Sequence, residues 1–347
     1  MSAARGSPES SITSLASSLL CDLDPDYARE GLWDQLGLRP QPGPQTDFLS
    51  SDADITIYGG AAGGGKSFAL LLAPLQWSHV PGFGAVIFRR TTTQVRAEGG
   101  LWDESQEMYS HLNGTPREQQ LEWRFPSGAA VSFAHMEWER NRYDWQGSQI
   151  CLIGFDELTH FSRTQFFYML SRNRSTCGVK PRIMATTNPD ADSWVAEFIA
   201  WWIDQETGYA MPDRAGAIRW FVQAGDDLAW GDSADELRDR FPGSIPTSVT
   251  FIPASLEDNP ALTSKDPGYR ARLMALDRVE RERLANGNWK IRPVAGMYFR
   301  REWFEIVDAP PACDLAVRFW DFAGSRRTVK NKDPDWTVGL LLGYKEP

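Results

Sequence analysis

A chain of 347 residues is longer than one typical domain, and 42% hydrophobic residues with 12% aromatics are enough for a sizeable core. A net charge of −10 argues against a surface that is basic all over, so any contact with nucleic acid has to be a local patch. Cys21, Cys151, Cys177 and Cys313 stand far apart with no CxxC, which argues against zinc or a disulfide framework and points to a reducing, cytoplasmic compartment.

Residues 11–20 mix serine and threonine among few apolar positions, and the apolar run 68–75 is far too short to cross a bilayer, so a soluble protein with no membrane partner is expected. Residues 1–50, rich in Ser, Pro, Asp and Gly, read as a flexible arm and entry loop without strands. Within it, Gln45 and Phe48 lie about ten residues ahead of the first strand and suit hydrogen bonding to, and stacking on, adenine; an ordinary loop glutamine is the alternative. From 51 to 290 the texture is α/β. Apolar, β-rich runs at 55–58, 85–88, 131–134, 150–155, 183–187 and 249–252 alternate with helical stretches, which predicts a mostly parallel sheet covered on both faces. Leu273, Leu276, Val279 and Leu284 among dense Arg and Glu predict one surface helix over 266–289, stopping near Asn286-Gly287. Residues 291–314, where three prolines fall between 292 and 311, read as a linker. A fresh strand follows at 315–322, then a polar turn and a second strand at 336–342.

The strongest local signal is Gly60-Ala61-Ala62-Gly63-Gly64-Gly65-Lys66-Ser67, which satisfies GxxxxGK[ST] between a predicted strand and a predicted helix. Glycines let backbone amides curl around phosphate oxygens, Lys66 reaches the β- and γ-phosphates of ATP, and Ser67 ligates Mg²⁺. The apolar strand Ile150-Cys-Leu-Ile-Gly-Phe155 ends in Asp156-Glu157, a Walker B pattern: Asp156 for the Mg²⁺ shell, Glu157 as the base that polarises the attacking water. Thr186, Thr187 and Asn188 close the strand 183–187 with hydroxyl and amide groups placed to sense the γ-phosphate; a plain Asn-Pro turn is the alternative. Arg89, Arg90, Arg96 and Arg142 are candidates for stabilising γ-phosphate charge, in cis or from a neighbouring subunit, with Arg96 and Arg142 foremost. The histidines and tryptophans are assigned no chemistry.

Together these segments resemble the large terminase subunit of tailed double-stranded DNA phages, from about Gln45 to the last residue. The resemblance includes the GGAAGGGKS loop, Phe88-Arg-Arg-Thr91 with Gly99-Gly-Leu-Trp102, and Gly154-Phe-Asp-Glu-Leu-Thr-His-Phe161 with Thr186-Thr-Asn-Pro189. Its most distinctive part is Phe251-Ile-Pro-Ala-Ser-Leu-Glu-Asp-Asn-Pro260, followed by Asp266-Pro-Gly-Tyr269 and Leu284-Ala-Asn-Gly-Asn-Trp289. It implies a P-loop NTPase domain of the ASCE/RecA-like kind, an ATPase that moves viral double-stranded DNA into a procapsid. It also implies a following RNase H-like endonuclease, in which carboxylates from several strands hold two Mg²⁺ or Mn²⁺ ions to cut concatemeric DNA. Val317-Arg-Phe-Trp-Asp321-Phe-Ala matches that domain's first strand, with Asp321 as a metal ligand, and Asp333-Pro-Asp-Trp-Thr337 matches the start of the next. The remaining ligands would lie beyond residue 347, so a motor cut off shortly after its nuclease begins is expected. The implied partners are the portal protein, a small terminase subunit and further copies in a ring, commonly a pentamer. The implied place is the host cytoplasm, docked on the procapsid and absent from the mature virion. Two other readings stay open: a helicase or repair-type DNA-dependent ATPase, and a fragment that only binds partners.

Overall fold

Six of the apolar runs become six parallel strands: the central ones are buried on both faces, where only a full ladder satisfies the backbone, and the run at 131–134 is buried at alternate positions. The computed structural model describes residues 31–34, 36–225, 227–292, 303, 305, 307, 312–322 and 337–345. The chain divides into two compact units, Met1–Arg292 and Pro293–Pro347.

In the first unit the strands are β1 (Ile55–Gly60), β2 (Gly84–Arg89), β3 (Thr115–Arg117), β4 (Glu122–Arg124), β5 (Ala130–His135), β6 (Leu152–Phe155), β7 (Arg182–Thr187), β8 (Ile218–Ala224), β9 (Asp227–Gly231) and β10 (Thr247–Ala254). They form one ten-stranded sheet in the order β3-β4-β5-β2-β6-β7-β1-β10-β8-β9. The run from β5 to β10 is parallel, and an antiparallel hairpin closes each side. This is the mixed, mostly parallel P-loop type of sheet. The strand β7 is inserted between β1, which carries the glycine-rich loop, and β6, which ends in the two carboxylates.

Side chains alternate along each strand, so the sheet divides the core in two. On one face Tyr58 and Ile87 meet helices α2 (Lys66–Leu72) and α4 (Leu101–Tyr109) through Leu70, Leu71, Trp102 and Tyr109. On the other, Ile57, Phe88 and Phe155 meet α5 (Arg163–Leu170) and α6 (Trp194–Phe198) through Phe166, Met169 and Phe198. Helix α1 (Pro44–Ser50) precedes the sheet, α3 (Thr92–Arg96) follows β2, and α7 (Ala234–Arg240) follows β9.

Three expectations are corrected. Residues 44–50, read as part of an entry loop, form α1, started by a proline and holding Gln45, Phe48 and Leu49 in the core. The single helix expected over 266–289 is two, α9 (Tyr269–Met274) and α10 (Arg278–Leu284), preceded by α8 (Pro260–Lys265). Asp277 breaks it: its carboxylate accepts from the amides of Val279 and Glu280 and so starts a new helix. The hairpins β3–β4 and β8–β9 were not anticipated, since their strands are short, polar or partly exposed.

In the second unit β11 (Leu315–Asp321) and β12 (Val338–Tyr344) pair antiparallel, Asp321 opposite Val338. Both faces of this hairpin are exposed. Most of the expected linker 291–314 and the acids Asp333 and Asp335 lie outside the described residues. Among the described residues no helix is long and apolar enough to cross a membrane.

Candidate nucleotide site

The loop Gly60–Ser67 leaves the end of β1 and enters α2 through Gly65, whose φ of 72° is left-handed and open to glycine. Gly60 is confined more tightly still: a Cβ there would lie 2.3 Å from the Ala254 carbonyl oxygen. The loop is held from behind by the segment 254–287. Ala61 N donates to Ala254 O (2.8 Å), Ala62 N to Leu284 O (2.7 Å), and Asn259 Nδ2 to Gly63 O (2.8 Å). Asn259 also caps α8, its Oδ1 accepting from Leu262 N. Tyr58 Oη donates to Gly64 O (2.9 Å) from inside the core, and burial beside Asp258 and Asp47 pushes its phenol up, so it stays a donor. The part of the sequence most distinctive of the resemblance is thus the back wall of the phosphate loop.

Lys66 is 7% exposed and donates to the carbonyls of Gly60 and Ala61. Burial holds its pKa down at about 8, against the opposing pull of Glu157 and Asp156. Asp156 is fully buried: Oδ1 accepts from Ser67 Oγ (3.1 Å) and Thr186 Oγ1 (2.5 Å), and Oδ2 is ion-paired with Arg89. Ser67 hydroxyl and Asp156 carboxylate, oxygen donors on two elements within hydrogen-bonding distance, fit the hard-oxygen, incomplete protein shell on which Mg²⁺ bound to a nucleotide relies.

Glu157 sits at φ 61°, ψ 65°, a left-handed conformation that costs a non-glycine residue about 1–3 kcal/mol and is tolerated where surroundings fix it. Here its amide donates to Thr186 Oγ1 (3.2 Å), and its carboxylate accepts from Asn188 Nδ2 (2.6 Å) and Asn188 N (3.2 Å). Asn188 Oδ1 is buried without a hydrogen-bond partner among the described residues. Thr187 Oγ1 turns to Asn188 O (3.0 Å) and Thr159. A cleft of about 340 Å³ is lined by Ala62, Gly63, Gly65, Lys66, Ser67, Glu157, Asn188 and Asn259, so the glycine-rich loop and the two residues expected as base and sensor face one space.

Other expectations divide. Phe48 does not face a ligand: it is fully buried and packs on Tyr58, ring centroids 5.3 Å apart. Gln45 is buried behind the loop, its Oε1 accepting from Gln41 N (2.9 Å) and its amide reaching Gly64 O. It also lines a second cavity, of about 380 Å³, with Leu38, Phe68, Met108 and Leu262. Arg96 and Arg142 are not brought into the cleft of their own chain. Arg96 donates to Glu118 O (3.0 Å), and Arg142 is tied to Glu139 and stacked over Tyr143. Arg90 braces Met136 O and Gln165. The arginine that reaches the site is Arg89. Sequence reasoning missed Tyr58 and Asn259; the Asn259-Pro260 dipeptide, a helix-start signal, was the one available hint for the latter. Asp321 ends β11 in the other unit, and no cluster of three or more His, Cys, Asp or Glu able to hold a metal occurs among the described residues.

The fold is similar to that of the large terminase from a thermophilic bacteriophage in complex with ADP. Identity is 11% and TM-score 0.49, over 80% of this chain and 61% of that one, so this chain spans about three fifths of that protein's length. It is also similar to the Thermus phage P74-26 large terminase ATPase domain, with 13% identity and TM-score 0.46, over 74% of this chain and 96% of that one. No curated protein matches the chain significantly. The family model for the terminase large subunit, T4-like-virus type, N-terminal, matches residues 57–306, which takes in the glycine-rich loop, Asp156 and Glu157, Thr186 to Asn188 and the back wall. That match covers well over half of the chain, which therefore belongs to the T4-like-virus-type terminase large-subunit family.

Proposed function

We propose that residues 51–290 are an ATPase that drives viral double-stranded DNA into a procapsid. The observation that carries this reading is the shared cleft, in which Glu157, held by Asn188, faces Lys66 and Ser67 of the phosphate loop. Lys66 would trade two backbone carbonyls for β- and γ-phosphate oxygens, and the loop amides would hold the rest of the chain of phosphates. Ser67 and Asp156 would hold Mg²⁺, which supplies charge neutralisation to the developing phosphate anion. Glu157 accepts the proton of the attacking water, and Asn188, bonded to it twice, fixes its orientation. Gln45 and the cavity it lines, beside Gly65 and Phe68, are where base and ribose would lie.

We extend the proposal to the assembly that the resemblance implies: a ring of copies, commonly five, docked on the portal protein of a procapsid in the host cytoplasm and fed by a small terminase subunit. Arg96 or Arg142 would then act on a neighbour's γ-phosphate. We assign the hairpin β11–β12, with Asp321 at the end of its first strand, to the start of an RNase H-like endonuclease that uses Mg²⁺ or Mn²⁺ in the whole protein. The deciding experiment is ATP turnover by the chain alone and with DNA and portal. Glu157→Gln is expected to bind ATP as the parent does while turnover falls about 10²-fold or more, the usual loss on removing a general base. Equal turnover in the two, in whichever assembly hydrolyses ATP, overturns the assignment.

A further inference from the structure

Asp156 is a fully buried carboxylate whose direct ion-pair partner is Arg89. A buried anion needs such a partner, since its desolvation is otherwise uncompensated. The two oxygens are used differently. Oδ1 takes the hydroxyls of Ser67 and Thr186, and Oδ2 takes the guanidinium. A divalent cation arriving at Asp156 meets that guanidinium at the same carboxylate, where Oδ1 already holds two hydroxyls and Oδ2 cannot serve guanidinium and metal at once.

The arginine has somewhere to go. Arg89 lines a cavity of about 370 Å³ with Ser67, Phe68, Glu98, Gly99 and Glu104. Two carboxylates without an ion-pair partner among the described residues, Glu98 and Glu104, form its acidic wall. Burial and the like charges of Glu107 and Asp103 push the Glu104 carboxyl up, which is the signature of a place where a cation is welcome. Asp156 is also the only side chain that Arg89 bonds among the described residues; its Nε is buried and unpartnered, so a single ion pair holds it.

We propose that Arg89 competes with a divalent cation for Asp156: it is ion-paired with the carboxylate, and divalent cation binding moves it to the Glu98–Glu104 wall. This rests on the assignment of the cleft to a nucleotide–metal complex and adds a control on it, because metal must displace an internal cation before the nucleotide is held with it. Arg89 acts here as a positioning residue, through Asp156.

The test is binding of a fluorescent ADP analogue to the intact chain over a series of Mg²⁺ concentrations. Arg89→Gln, which keeps a polar side chain and removes the charge, is expected to lower the half-saturating Mg²⁺ about tenfold or more, whereas Arg89→Lys stays within about threefold of the parent. Glu104→Gln is exposed and leaves the ion pair intact; it is expected to raise the half-saturating Mg²⁺ about threefold, and it keeps the idea testable if Arg89→Gln does not fold. An unchanged or higher Mg²⁺ requirement in folded Arg89→Gln, or no change in Glu104→Gln, overturns the proposal. Analogue binding by the parent that ignores both Mg²⁺ and Lys66→Ala overturns the nucleotide reading itself, an outcome distinct from the other two.

Discussion

Lys66 is buried, and burial holds its pKa at about 8, down from 10.5. Only the charged form attracts phosphate, and bound phosphate would raise the pKa again. Nucleotide affinity is therefore expected to fall as pH rises above 8, by up to about tenfold per unit, with proton uptake on binding. Lys66→Ala should bind weakly at every pH and lose this dependence; an equally steep fall in the variant would sink the idea. Stability runs the other way. Between pH 8 and 10.5 the unfolded chain holds more protons on this residue than the folded one, so the lysine's contribution to stability improves as pH rises through that window, and below pH 8 its burial cost is present in full.

At the scale of elements, the site is made by the wedge between β1 and β10. The two strands pair in parallel, Gly60 beside Ala254, so closely that a Cβ at Gly60 would stand 2.3 Å from a carbonyl oxygen, at a φ of 140° that only glycine adopts freely. Gly60→Ala is expected to cost about 2–4 kcal/mol, through strain and forced separation of the strands, and to weaken nucleotide binding with it. Gly84→Ala is the matched control, since a Cβ at the start of β2 meets nothing within 4 Å. Thermal melting of both variants checks this, and a similar loss in each would mean that the wedge is not the cause. The same closeness explains why the segment 254–287 is as characteristic as the phosphate loop: its carbonyls and Asn259 set the loop's shape.

For the whole molecule, one prediction concerns contacts between copies and the other concerns DNA cleavage. Arg96 and Arg142 are engaged outside their own cleft, so if either completes a neighbour's site, turnover per chain should rise with protein concentration. Mixing the arginine variant with Glu157→Gln should then restore activity that neither has alone. Turnover independent of concentration, with no gain on mixing, counts against a ring-dependent site. The second concerns DNA cleavage. Two-metal hydrolysis needs carboxylates converging from several strands onto cations about 4 Å apart, whereas the described hairpin offers Asp321 alone, with apolar side chains such as Phe319, Leu340 and Leu342 more than half exposed. The chain as given should leave plasmid DNA intact in Mn²⁺; nicking that disappears in Asp321→Ala would refute this.

The phosphate loop, the carboxylate pair and the six parallel strands were legible in the sequence because each is encoded locally. Eight consecutive residues carry the loop, and an unbroken apolar run ending in two acids can hardly lie anywhere but in a buried strand with its end at the sheet's edge. Thr186 and Asn188 were legible as site candidates for the same reason, at the end of such a strand. What the linear chain could not show is which distant groups meet. Arg89 was one of four arginines until β2 paired with β6 in the register Phe88 to Phe155, which sets the next residues, Arg89 and Asp156, side by side. Phe48 looked free to stack on a base until α1 carried it into the core against Tyr58, and a periodic helix over 266–289 was divided by one capping aspartate. Residue type and local pattern determined the chemistry available; strand register and packing, which join residues tens to hundreds of positions apart, decided which of those groups form the site.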